Sequence, residues 1–174
     1  MKQYENANGA SAGALKCDLA GEVLRSFGPL CFPAVGWSML PAVWPGDTLV
    51  VERVSHDQVR VGDVVVAGQR GRLCAHRVIG TPCDPENPRW ITQGDALPAP
   101  DRPVTRNELL GRVAYLIRAG KCIAVPAELS GLEHLVARIL RRSVPAARAL
   151  VYLRRTVQSP EKSAPEKSDI LCQG

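Results

Sequence analysis

A central stretch, residues 35–119, limits what this chain can fold into more than anything else. It is a series of short β-branched runs punctuated by Gly and Asp. Residues 48–54 follow the turn Pro45-Gly46-Asp47, and Val61-Gly62-Asp63 turns into a second run over 64–67. Residues 68–71 read as a hairpin loop leading into a strand over 73–79. A Pro-rich loop over 81–89 precedes the short strand Trp90-Ile91-Thr92, and 109–117 closes the series with Val113, Tyr115 and Ile117 alternating. Runs this short are strand-length, well below what an independent helix needs. The expected fold is therefore mainly β, a curled and partly closed antiparallel sheet.

The flanks read differently. Residues 1–13 are expected to form a disordered tail, and 15–26 a short helix with Leu15, Leu19, Val23 and Leu24 on one side, ended by Gly28 and Pro29. Beyond Lys121 the period becomes helical: Leu132, Leu135, Val136, Ile139 and Leu140 define one apolar side, Pro145 interrupts it, and residues 146–157 resume it. Residues 158–174, rich in Ser, Pro, Glu and Lys, read as a tail. The expected units are thus 1–34 (tail and helix), 35–121 (the β domain), 122–157 (a basic helical segment) and 158–174 (tail).

A content of 45% hydrophobic and 22% charged residues is that of a globular domain, and 174 residues suffice for one core. The six cysteines have no ligand spacing, so neither metal nor cofactor is expected, and reduced thiols in a cytoplasmic setting are the default. No secretory signal is recognisable in the polar residues 1–14, and no run reaches the ~20 apolar residues of a spanning helix. The net charge of +5 is concentrated: from Arg138 to Arg155 there are six arginines and no acid, interleaved with Ile139, Leu140, Val144, Leu150, Val151 and Leu153. That pattern suits peripheral contact with an anionic bilayer better than nucleic acid; a plain solvated helix face is the competing reading.

Three clusters carry chemistry. The first is Gly36-Trp37-Ser38-Met39-Leu40-Pro41. Serine is a weak nucleophile until a base accepts its proton. Of the three histidines, His56 falls in a polar turn and His134 on the late helix, whereas His76 lies within a strand and must face core or cleft. The third cluster, Thr92-Gln93-Gly94-Asp95 with Asp101 six residues on, offers carboxylates that can orient a histidine.

In this order the serine box, the Pro45-Gly46-Asp47 turn into Leu49-Val50-Val51, the segment 61–66, His76-Arg77-Val78-Ile79 and Gly94-Asp95 resemble type I signal peptidases. The resemblance is to the Ser-His subtype of the endoplasmic reticulum, archaea and some sporulating bacteria, and covers residues 35–120, half the chain. It implies a peptidase domain with Ser38 as nucleophile and His76 as general base, where the common bacterial enzymes use lysine. It also implies Asp95 or Asp101 as the orienting carboxylate, and cleavage after a small residue in a peptide or protein substrate, either a signal or leader peptide or a regulatory protein. Asp95 is favoured because it directly follows a strand, whereas Asp101 sits in a Pro-rich loop. No lysine occurs between Lys16 and Lys121, which leaves a lysine dyad without a candidate. Two features depart from the family: Gly36 stands where a serine often helps hold the oxyanion, and the usual membrane anchor before the serine box is not seen. The competing reading is a non-catalytic binding module on the same scaffold, with the Arg-rich arm binding nucleic acid or lipid.

Overall fold

A computed structural model describes residues 4–81, 83–84, 86–142 and 149–152. Helix α1 (Tyr4–Phe27) leads into β1 (Leu30–Pro33) and β2 (Thr48–Glu52); a short 3-10 turn (His56–Gln58) precedes β3 (Val64–Gln69) and β4 (Arg72–Gly80). There follow β5 (Arg89–Gln93), β6 (Val104–Thr105), β7 (Leu109–Arg118), β8 (Lys121–Ile123) and helix α2 (Gly131–Arg142). All pairings are antiparallel, in the order β1-β2-β7-β3-β4-β5-β6 with β8 on β7, and the sheet does not close. The fold is thus mainly antiparallel β with flanking helices, including a C-terminal one, as expected.

The unbroken apolar run Val64–Ala67 is explained by burial on both faces of β3. Val64 and Val66 enter a cluster with Leu24, Met39, Leu49, Val51, Val113 and Leu116. Val65 and Ala67 enter a second cluster with Val54, Val78, Trp90 and Val104. Successive strand residues point to opposite faces, so a strand covered on both sides loses its polar alternation. Leu24 places α1 in the first cluster, and β1 pairs with β2, so the packing of the sheet extends to residues before 35.

Several expectations are corrected. Helix α1 begins at Tyr4, inside the expected tail, where Ala7, Ala10, Ala12 and Ala14 supply strong helix formers. In β7 the buried residues are Leu109, Gly111, Val113 and Leu116, while Tyr115 is exposed, in place of the alternation Val113, Tyr115, Ile117. A bulge opposite Val50 and Val51 is the reason: Val50 pairs with Tyr115 and Val51 with Val113, so one extra residue switches the faces. The β3–β4 loop is a two-residue turn, Arg70-Gly71, with both φ positive (51° and 70°), the backbone that tight hairpins require.

Helix α2 starts on a capping box: the Ser130 N–H donates to Glu133 Oε2 (2.8 Å) and the Glu133 N–H to Ser130 Oγ (3.3 Å). It packs through Ala137 and Leu140, leaving Leu132, Leu135 and Ile139 exposed, so the expected apolar side is only partly used for packing. Of the basic segment from Arg138 to Arg155, residues 143–148 and 153–155 lie outside the described residues, as does the tail over 158–174. No helix among the described residues is long and apolar enough to cross a membrane.

Candidate active site

Ser38 sits in the turn between β1 and β2, and His76 in the middle of β4. His76 Nε2 lies 3.1 Å from Ser38 Oγ, and His76 Nδ1 lies 2.6 Å from Asp101 Oδ2. An ionised carboxylate only accepts, so Nδ1 carries the proton and donates to Asp101. In the neutral ring Nε2 is then the acceptor, and the Ser38 hydroxyl donates to it. Serine, histidine and aspartate thus form one hydrogen-bonded row, in the sense that allows a base to take the serine proton.

Asp101 is fixed from two directions. Its backbone N–H donates to the Thr92 carbonyl (2.8 Å), and the Thr92 hydroxyl donates to the same Oδ2 that faces His76 (2.8 Å). Val78 pairs with Thr92 across β4 and β5, so Thr92 shares the sheet face of His76 and Val78. Burial works against the Asp101 charge, but the hydrogen bonds from His76 and Thr92 outweigh it, and the carboxyl is held below its ordinary range. It therefore stays an anion at the pH where a histidine acts as base.

Asp95 does not touch His76. Its Oδ1 accepts from Arg77 Nε and its Oδ2 from Arg77 Nη2, both at 2.8 Å. The preference for Asp95 as orienting carboxylate is corrected on this geometry. Arg77 follows His76 in β4 and faces the other side of the sheet, so the two aspartates are drawn to opposite faces. Arg77 Nη1 also donates to the carbonyls of Gly62 (2.8 Å), Pro126 (2.6 Å) and Ala127 (3.1 Å), which ties four segments together.

The serine segment is held equally closely. The Ser38 carbonyl accepts from the Ala96 N–H at 2.8 Å, and a Cβ on Gly94 would come within 2.7 Å of that oxygen. Only glycine fits at 94. At the other end of the box, Asp47 accepts from the Trp44 N–H (2.7 Å) and from both Nε (2.9 Å) and Nη2 (2.7 Å) of Arg118 on β7. The Pro-Gly-Asp turn is thus clamped to the sheet. Gly36 lies beside Ser38: a Cβ there would stand 3.9 Å from Ser38 Oγ, and glycine supplies no hydroxyl. Among the described residues the Ser38 N–H donates to no protein acceptor.

The other histidines stay apart from the row. His56 packs its ring on Trp90, with centroids 5.5 Å apart, and His134 donates from Nδ1 to the Leu129 carbonyl (2.9 Å). Among the described residues no three His, Cys, Asp or Glu side chains converge as metal ligands, and Cys17, Cys31, Cys74, Cys83 and Cys122 are free thiols. Thr92, Arg77 and Arg118 carry no role in the sequence reading. The signal available for Arg77 was its position, a charged residue directly after His76 in a strand that continues into the apolar Val78 and Ile79.

No protein-family model, curated protein or solved structure matches this chain.

Proposed function

We propose that the protein is a serine endopeptidase in which Ser38 is the nucleophile, His76 the general base and Asp101 the orienting carboxylate. The observation that carries this reading is the single hydrogen-bonded row from Ser38 through His76 to Asp101. Ser38 Oγ attacks the scissile carbonyl carbon while its proton passes to His76 Nε2. The imidazolium so formed is stabilised by Asp101, and its proton then goes to the leaving amine. Water, deprotonated by the same histidine, then attacks the acyl carbon, and His76 returns that proton to Ser38 Oγ as the ester bond breaks. The Ser38 N–H is one donor to the oxyanion.

Two further observations support a peptide substrate. On the side away from β3, β4 pairs with β5 only through Arg77, Val78 and Gly80. Among the described residues the edge from Arg72 to His76 has no strand partner there, and an extended peptide can add to such an edge. The resemblance to Ser-His signal peptidases points to cleavage after a small residue.

Digestion of a defined peptide library, followed by mass spectrometry, tests the reading. Cleavage should follow small residues and vanish in Ser38→Ala, which removes one hydroxyl and creates almost no cavity. Cleavage that survives in purified Ser38→Ala overturns the assignment.

The competing lipid-binding role rests on α2, where exposed Leu132, Leu135 and Ile139 lie beside Arg138 and Arg142. Such a face suits an anionic bilayer surface. Co-sedimentation with phosphatidylserine vesicles should then fall in a Leu135→Glu/Ile139→Glu protein; equal sedimentation of both proteins removes this role.

A further inference from the structure

Helix α2 lies far from Ser38 in sequence, yet it closes over the segment that fixes the serine. Leu140 is buried against Leu40, two residues beyond the nucleophile, and against Ala96; Leu40 and Ala96 are both fully buried. Trp37, directly before Ser38, packs against the same cluster. One turn residue of this loop, Ala96, donates its N–H to the Ser38 carbonyl (2.8 Å), and its neighbour Asp95 accepts from Arg141 Nε of α2 through its own carbonyl (2.9 Å). The Asp95 carboxylate is meanwhile occupied by Arg77. The turn 94–96 is therefore gripped on one side by β4 and on the other by α2, and it grips the Ser38 backbone in turn.

We infer that α2 is a positioning clamp for the nucleophile, and that Arg141 is the positioning residue through which it acts on Ser38. The inference rests on the serine-peptidase reading of Ser38. Arg141 touches neither Ser38 nor His76 directly. Its guanidinium fixes the Asp95 carbonyl, which sets the plane of the next peptide. That plane aims the Ala96 N–H at the Ser38 carbonyl, and with it the Ser38 Cα and Oγ. A displacement of about 1 Å at a reacting group can cost ~100-fold in rate, so a part of that shift should be visible in the chemical step and not in binding. The consequence for function is that the C-terminal helix belongs to the site, although Arg141 itself bonds only the Asp95 carbonyl.

The test compares the full-length protein with Arg141→Gln, Arg141→Lys and, as a control on the same helix, Arg138→Gln. The first readout is hydrogen exchange at the Ala96 amide, which needs no activity. Exchange should quicken by about tenfold or more in Arg141→Gln, as expected where a local opening becomes easier. It should stay as in the wild type for Arg138→Gln and return part of the way in Arg141→Lys, which keeps a positively charged donor. Unchanged exchange in Arg141→Gln overturns the clamp. The second readout uses a peptide boronate ending in the boron analogue of alanine, whose boron accepts Ser38 Oγ. At saturating boronate the rate of covalent addition should fall about tenfold in Arg141→Gln, with the half-saturating concentration within about twofold of wild type. A loss confined to the half-saturating concentration, or the same loss in Arg138→Gln, also overturns it. If the wild type forms no adduct at Ser38, the peptidase reading fails, and the exchange result still decides whether α2 fixes the turn.

Discussion

Asp95 and Asp101 leave the same strand, six residues apart, and end in opposite situations. The Asp95 side chain is 4% exposed and both its oxygens are taken by Arg77. The Asp101 side chain is 21% exposed, and one oxygen collects both His76 and Thr92. The first is a closed ion pair that ties loops together. The second is a partly exposed anion that faces the His76 ring. The difference follows from one property of strands: His76 and Arg77 are consecutive, so they face opposite ways and each recruits the carboxylate on its own side. On the proposed peptidase reading, structural and chemical duties are separated across the thickness of a single sheet.

The largest effect expected from breaking this contrast is on turnover. Asp101→Asn should lower it by about 10⁴-fold, as removing the orienting carboxylate of a triad does, with the fold retained. Peptide cleavage rates check this, and a loss under about tenfold would reduce the site to a Ser38-His76 dyad. Asp95→Asn should act on stability instead. It leaves Arg77 buried beside a neutral amide, a change that costs about 3–5 kcal/mol when one partner of a buried pair is removed. Urea unfolding measures that cost, and the folded fraction of Asp95→Asn should turn over within about tenfold of wild type. If the two variants exchange these phenotypes, the assignment of the aspartates is reversed.

A smaller effect concerns acid. The carboxyl of Asp101 ionises more readily folded than unfolded, its folded value lying below the ordinary 3.8. Below the ordinary value the unfolded chain takes up the proton first, so the stabilisation from Asp101 is present above that pH and is lost as pH falls through the folded value. The stability difference between wild type and Asp101→Asn should narrow as pH is lowered from about 4 toward about 3, read by urea unfolding. A difference that widens over that range would show the carboxyl to be raised.

Much of the sheet is legible in the sequence because turn chemistry and β-branched runs mark it. The Arg70-Gly71 turn and the strands on either side fall where Gly68 to Gly71 predicts a loop. Strand β1 is hidden because it has only four residues, follows Pro29 directly and ends in Pro33, a composition that reads as a loop. Strand β8 has three residues, below any periodicity. Ser38 and His76 stand out through the company they keep, but the choice between Asp95 and Asp101 turns on the register of β4 against β5, which residue types alone do not reveal. The signal that was present, Arg77 beside His76, becomes decisive only once it is granted that a buried arginine needs its own carboxylate. Arg141 could not be found this way, because it acts through a backbone carbonyl.

The central claim is that Ser38 Oγ is the atom that adds to a substrate carbonyl, and boron NMR of the peptide boronate complex tests it most directly. The wild type should give the tetrahedral boron signal of an oxygen adduct, and Ser38→Ala, equally folded by circular dichroism, should leave the boron trigonal. A tetrahedral signal that persists in Ser38→Ala, or none in the folded wild type at saturating boronate, would contradict the account.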